Sequence, residues 1–295
     1  MTEPNWDLYR SLLAVLTHGS LSAAARELGL TQPTIGRHIE ALEDLLGQQL
    51  FTRSQQGLAP TEGALALKPF AELIASTSAA LIRAASGDRD RASGTVRISA
   101  SEMIGIEVLP PILAGLQDRH PDLVIELSAT DEVEDVLNRA ADIAIRMTEP
   151  TQNALLARYV GAIPIGAYAH RRYLDRHGIP SGLEELVRHR VIGFDRELAY
   201  TRAMAKRMPF MADVHFSFRA DSNLAQLAAI RAGMGIGLCQ VFLVRDDPDM
   251  VRVLPDQFEL PLHTWVAMHE DLRSSPRCRA TFDALVEGLL RYIKG

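Results

Sequence analysis

The sequence has little cysteine, no long apolar run and no surplus of positive charge, and each shortage excludes something. Its two cysteines, Cys239 and Cys278, lie far apart and fit no metal-ligand or redox spacing. No metal or cofactor is therefore expected, and a reducing cytoplasm is the expected location. No apolar run approaches the roughly 18 residues that a membrane helix needs. The start, Met1-Thr2-Glu3-Pro4-Asn5-Trp6-Asp7, has neither the positive charge nor the apolar stretch of a secretory signal, so no membrane partner is expected. The formal charge is −6, and it is spread along the chain: residues 1–93 hold eight Lys/Arg against ten Asp/Glu, and residues 94–295 hold 23 against 27. Nucleic-acid binding cannot be inferred from basicity here and has to come from motif and face geometry. Few neutralised phosphates per subunit also means that affinity for DNA would lean on oligomerisation.

What the chain does have is an ordinary globular composition, 47% hydrophobic and 23% charged, over 295 residues. That length exceeds one core and points to two or three domains. Three amphipathic segments come first. Leu8, Leu12, Leu13 and Leu16 form a helical stripe; Gly19 breaks the chain and Ser20 is suited to cap a second helix bearing Leu21, Ala24, Ala25 and Leu28. Gly29-Leu30 forms a turn, Thr31 is the next cap, and Pro33 is tolerated in a first helical turn. The third helix has two faces. Ile35, Ile39, Leu42 and Leu46 point into a core, while Thr34, Arg37, His38 and Ala41 form a polar side small enough for a major groove. Gln32 stands at its start, the end that helix-turn-helix docking presents to bases. Taken alone, such a polar stripe is an ordinary solvated face. The Gly-centred turn before it and the strand-like Gln49–Arg53 and Gln55–Pro60 after it, a wing in which Arg53 can reach sugar-phosphate, favour DNA reading.

The runs Gly19-Ser20-Leu21-Ser22-Ala23-Ala24-Ala25-Arg26-Glu27-Leu28, Thr31-Gln32-Pro33-Thr34-Ile35, Ile39-Glu40-Ala41-Leu42-Glu43-Asp44-Leu45-Leu46-Gly47, Leu50-Phe51-Thr52-Arg53 and Thr61-Glu62-Gly63 resemble the LysR-type transcriptional regulators. The resemblance implies a winged helix-turn-helix over 1–60 that reads a double-stranded operator through Ser22, Gln32, Pro33, Thr34, Arg37, His38 and Arg53. Gly36 stands where the family usually has serine, which costs roughly 1 kcal/mol of helix propensity and removes a hydroxyl.

Thr61 is suited to cap a long helix to about Ser86, some 37 Å of it, with Leu67, Phe70, Ile74 and Leu81 along one seam and Pro69 expected to kink or weaken it. Such a helix can pack on its own domain. The resemblance implies instead a dimer built on it, extending to a tetramer, with residues 61–93 as linker and hinge and RNA polymerase as a further candidate partner.

From Thr95 onward, strand and helix patterns alternate, which predicts a parallel sheet. Strands are expected at 95–99, 123–127, 143–145, 163–169, 191–194, 214–218, 236–239 and 263–268. Helices are expected around Leu109–Leu116, Val133–Ala140 and Ser222–Ala232, with a last one carrying Phe282, Leu285, Val286 and Leu289. The carboxyl ends of such strands, where ligands collect, carry Ser99, Ser101, Glu102, Thr130, Arg146, Ser222 and Asn223. Each is singly an ordinary turn or cap; Ser222 foremost. Leu109-Pro110-Pro111, Ala141-Asp142-Ile143-Ala144-Ile145-Arg146 and Ala232-Gly233-Met234-Gly235-Ile236-Gly237 resemble the LysR effector domain. That likeness implies an α/β domain over 94–295, similar to type II periplasmic binding proteins, with subdomain I over about 94–163 and 269–295 and subdomain II over about 164–268. A small-molecule effector, expected to be an anionic metabolite, would lie between them, with Ser101, Thr130 and Arg146 lining its site. Gly233-x-Gly235-x-Gly237 leaves a helix and enters a strand, the reverse of a dinucleotide loop. With no nucleophile elbow, metal spacing or phosphate loop, an enzyme is not expected.

Overall fold

The computed structural model describes residues 4–54, 57–85, 91–130, 141–150, 154–195 and 214–294. The helix expected over 133–140 and most of the expected hinge lie outside the described residues. The chain divides into two compact units, the first ending at Ala85 and the second making up the described remainder.

In the first unit, α1 (Trp6–His18), α2 (Leu21–Leu28) and α3 (Gln32–Leu46) precede a hairpin of β1 (Phe51–Ser54) and β2 (Gly57–Pro60), and α4 (Glu62–Ala85) follows. The boundaries come from local chemistry. Ser20 Oγ accepts from Ala23 N at 3.2 Å, Thr31 Oγ1 from Thr34 N at 3.4 Å and Thr61 Oγ1 from Ala64 N at 3.2 Å, each satisfying a donor that the first helical turn leaves open. Gly29 ends α2 at φ +65°, a left-handed conformation that a side chain would disfavour. Leu12, Ile35, Leu42 and Leu50 are fully buried in one core with Val15 and Ala24. Each such side chain contributes about 1.5–3 kcal/mol by leaving water.

Helix α4 runs unbroken through Pro69. Its Ala64, Ala71 and Ala80 are buried, whereas Leu65, Phe70, Leu81 and Ile82 are 52–66% exposed. The segment Glu62–Arg83 is, by length and composition, apolar enough to cross a membrane. This corrects the expectation that no apolar run approaches membrane length, since Lys68 and Glu72, paired at 3.6 Å, interrupt the run without making the segment polar. Leu67, expected on a dimer seam, is half-buried and packs against the core of its own unit, because it falls on the side of α4 that carries buried Ala64 and Ala71.

The second unit contains β3 (Gly94–Ala100), α5 (Leu109–Arg119), β4 (Leu123–Ala129), β5 (Ile143–Arg146), β6 (Leu155–His170), α6 (Arg171–His177), β7 (Val191–Gly193), β8 (Phe216–Arg219), α7 (Asn223–Arg231), β9 (Gly237–Gln240), β10 (Met250–Val253), β11 (Leu260–His269) and α8 (Pro276–Lys294). One sheet has the order β10-β6-β11-β5-β3-β4, with β9 also beside β6, and β7 pairs with β8 separately. The expected parallel sheet needs correction. Among the described strands β4-β3-β5 and β7-β8 are parallel; β11 pairs antiparallel with both β5 and β6, and β9 and β10 pair antiparallel with β6. β11, a strand late in the sequence, inserts between β5 and β6, and β9 and β10 add two more antiparallel pairings beside β6.

Among the described residues of the second unit, three apolar clusters result. Ile98, Ile104, Leu109, Leu116, Ile143 and Leu285 belong to one core. Ala167, Tyr173, Val191 and Phe258 belong to a second, and a smaller cluster around α7 contains Tyr168, Leu227, Ile230 and Cys239. The long strands β6 and β11 pass from one side to the other: Val160 and Val266 lie in the first core, while Ala167 lies in the second and Leu260 packs against it.

Candidate functional site

On α3, Ile35, Ile39 and Leu42 are buried, which leaves Gln32, Pro33, Arg37 and Glu40 exposed and Thr34 and Ala41 half-buried on the opposite side. Ser22 Oγ on α2 donates to Gln32 Oε1 at 3.1 Å, and the Thr31 and Thr34 hydroxyls share a hydrogen bond at 2.8 Å. These contacts order the first turn of α3. His38 departs from its expected place on the free polar side. Its Nδ1 shares a 2.7 Å hydrogen bond with Ser11 Oγ, and Ser11 is fully buried. The imidazole straddles the edge of the buried face and ties α3 to α1. At Gly36, an added Cβ would meet only Leu21 Cδ1, at 3.9 Å.

The wing is anchored by contacts that sequence reading did not foresee. Glu43 Oε1 accepts from Leu50 N at 2.6 Å and from Phe51 N at 3.2 Å. Thr61 Oγ1 donates to the carbonyls of Gln49 and Leu50 at 2.9 and 3.2 Å, and Leu58 N donates to Gly19 O at 3.2 Å. In sequence Glu43 looks like any acidic residue on a helix. Its role arises only where the chain doubles back past it. Arg53 pairs with Leu58 in the hairpin; its side chain and the wing tip, residues 55–56, lie outside the described residues.

In the second unit the parallel strands β4, β3 and β5 bring the segment after Ala100, Thr130 and Arg146 to one edge. Thr130 N donates to Ala100 O at 2.9 Å. Arg146 Nη2 donates to Ser99 Oγ at 3.2 Å and Nη1 to Ile145 O at 3.1 Å. Ser99, expected to face a ligand, is fully buried. Its hydroxyl sits under the Arg146 guanidinium and orients it, so Ser99 is a support and not part of the lining. Ser222 both accepts from Ala225 N at 3.2 Å, capping α7, and donates to Glu102 Oε2 at 2.8 Å. Residues 120 positions apart are thereby joined at the same edge, with half-buried Asn223 as the first residue of α7.

Other motifs settle into structural roles. Buried Asp142 accepts from Arg97 N at 2.9 Å and its own N donates to Arg97 O at 2.8 Å, fastening β5 to β3. A Cβ on Gly235 would stand 2.3 Å from Arg190 O, so the Gly233–Gly237 run serves close packing. Burial pushes the Cys239 thiol up to about 12, and Cys278 is buried in a different cluster. Among the described residues no group of three or more His, Cys, Asp or Glu is placed to hold a metal ion.

Residues 89–290 match the LysR substrate binding domain, and residues 6–65 match the bacterial regulatory helix-turn-helix protein, lysR family. The chain belongs to the LysR family. As a LysR-type transcriptional regulator it binds DNA through its helix-turn-helix and carries an effector-binding domain, and it is not an enzyme. LysR regulators bind DNA operators, respond to small-molecule effectors and form oligomers. The transcriptional regulator CrgA of Neisseria meningitidis is 27% identical over 282 residues, 93% of this chain and 94% of that protein. The transcriptional activator TtdR of Escherichia coli is 25% identical over 290 residues, 95% and 93% of the two chains. In fold, the LysR regulator resembles the CrgA structure with a TM-score of 0.60 at 23% identity, covering 97% of this chain and 99% of that one. The CbnR structure gives a TM-score of 0.67 at 18% identity, covering 99% and 100%.

Proposed function

We propose that the α3 face carrying Gln32, Pro33, Thr34 and Arg37 enters the major groove of an operator half-site, with Ser22 and Arg53 on the flanking sugar-phosphate. Arg37 is the residue that supports this reading best. It is exposed on the side of α3 opposite three buried aliphatics, and a guanidinium there can pair with guanine O6 and N7. A solved structure of CbnR holds that regulator with its target DNA, and the same docking is the reading taken here. His38, bonded to Ser11, keeps only its Nε2 edge for DNA. Two copies joined through the apolar side of α4, with Phe70, Ile74 and Leu81 at the seam, would present paired recognition helices to a two-fold operator.

The domain division that fits this function is a winged helix-turn-helix over 1–60, a linker over 61–93 and an effector domain over 94–295, with lobes of about 94–163 plus 269–295 and about 164–268. The separation of the apolar cores, bridged by β6 and β11, supports the two lobes. The effector is an anionic small molecule, received by the Ser101 and Thr130 hydroxyls and the Arg146 guanidinium, with Ser222 and Asn223 opposite. The regulator works in the cytoplasm. Arg37→Ala tests the DNA reading on duplexes selected from a random pool by the native protein. Loss of the footprint with an unchanged oligomer in sedimentation supports it, and an unchanged footprint removes Arg37 from the reading surface.

A further inference from the structure

We propose that the segment leaving β3 clasps α7 at its two ends, and that this clasp sets the closure of the effector cleft. The proposal rests on the two-lobed reading above. Three contacts of different kinds fall at three levels of one helix. At the start of α7, Glu102 Oε2 accepts from Ser222 Oγ at 2.8 Å. Along its middle, Met103 is 8% exposed and belongs to the cluster of Leu227, Ala229 and Ile230; among the described residues it is the one buried member of that cluster drawn from before Tyr168. At its last residue, Arg231 Nη1 pairs with Glu107 Oε1 at 3.7 Å.

The electrostatics of α7 favour this arrangement. A carboxylate lies at the positive end of the helix dipole, and the cation at the negative end is matched by a second carboxylate. The clasping segment continues as a π-helical turn, Ile104–Val108, into α5. Such a turn carries one residue more than an α-turn and concentrates at functional sites. It is wedged under the strand edge, since a Cβ on Gly105 would come within 3.0 Å of Ala129 Cβ.

The link to ligand binding is a matter of proton count. The Ser222 hydroxyl has one proton, and it is donated to Glu102. An anionic effector that reaches Ser222 competes with Glu102 for that proton, so occupying that end of the cleft weakens the first hold of the clasp. Ser101 immediately precedes Glu102 and moves with it. Glu102 is thus a resident carboxylate with which an anionic effector competes, and its release is the event that ligand binding transmits.

The test uses the full-length protein with no effector added. Ser222→Asp keeps an acceptor for Ala225 N but sets a carboxylate against Glu102. Hydrogen exchange of residues 102–108 and 224–231 is expected to rise together, several-fold, while α8 stays unchanged; adding Glu102→Gln, whose amide can donate to Asp, restores protection. A charge exchange checks the other end: Arg231→Glu loosens both segments and Glu107→Arg in addition restores them. If Ser222→Asp leaves 102–108 as protected as in the native protein, or if neither second change restores protection, there is no clasp. Operator footprints of the same variants test its regulatory part. A footprint altered by Ser222→Asp and restored with Glu102→Gln supports control of closure. Loosened exchange with an unaltered footprint overturns that control, and leaves the DNA reading to be judged separately by Arg37→Ala.

Discussion

Gly36 sits in the interior of the recognition helix, where a glycine costs roughly 1 kcal/mol relative to alanine. The space beside it is open enough for a methyl group, whose nearest neighbour would be Leu21 Cδ1 at 3.9 Å. Gly36→Ala is therefore expected to stabilise the first unit by about 1 kcal/mol, a rise of about 4–8 °C in its melting transition by calorimetry; an unchanged or lower transition would show that α2 cannot accommodate the methyl. A second residue effect depends on pH. The buried Tyr173 hydroxyl accepts from Arg190 N at 2.8 Å and meets His189 Nδ1 at 3.3 Å, while its ring stacks on His177 at a centroid distance of 4.5 Å. Burial, and then the neighbouring His177, hold the His189 pKa below its ordinary 6.5, with Glu185 opposing. The unfolded chain therefore takes up this proton first as pH falls. The stability owed to neutral His189 is complete above 6.5 and is lost below it. His189→Gln should flatten the decline in urea midpoint between pH 7 and 5, and a decline as steep as the native one would exonerate His189.

At the scale of elements, the caps Ser20, Thr31 and Thr61 and the 3.6-residue stripes of α1, α2 and α3 were legible in the sequence, because a cap and its partner lie within three residues. The wing hairpin was legible as well, but its anchor was not. Glu43 gathers two backbone N–H groups from residues 50 and 51, and nothing in the local pattern separates it from the exposed Glu40. Glu43→Ala is expected to cost about 1–3 kcal/mol by leaving those donors unpaired, with faster exchange at Leu50 and Phe51. Glu43→Gln, which keeps the acceptor, should cost less, and equal loss in both variants would argue that the carboxylate charge matters more than the hydrogen bonds. In the second unit the strand positions were mostly legible and their order was not. The insertion of β11 between β5 and β6, with β9 and β10 antiparallel beside β6, turned an expected parallel sheet into a mixed one. The signal that was available is the alternation along Leu260–Val266, where Leu262, Thr264 and Val266 are more buried than Pro261, His263 and Trp265, the habit of a strand covered on one face.

For the whole molecule, a chain with a net charge of −6 gains little affinity from any one DNA-binding unit, and pairing compensates by joining two half-sites. The apolar side of α4 is the proposed surface for that pairing, with Phe70 64% and Leu81 65% exposed within the single chain. Replacing both by glutamate is expected to shift sedimentation toward the monomer and to weaken operator binding at least tenfold, while the melting of the second unit stays unchanged. Retention of the native oligomer would place the pairing surface elsewhere.

The polar face of α3, its caps and the helical and extended segments follow from the sequence itself, since each depends on neighbours within a turn or two of chain. Tertiary structure alone decided that Ser99 supports Arg146 from beneath, that His38 bonds to Ser11, and that Glu102 meets Ser222. Those contacts join residues 27 to 120 positions apart. They exist only once strand order and helix packing have been chosen, and that choice is made by burying the cores as a whole, which no short window of sequence records.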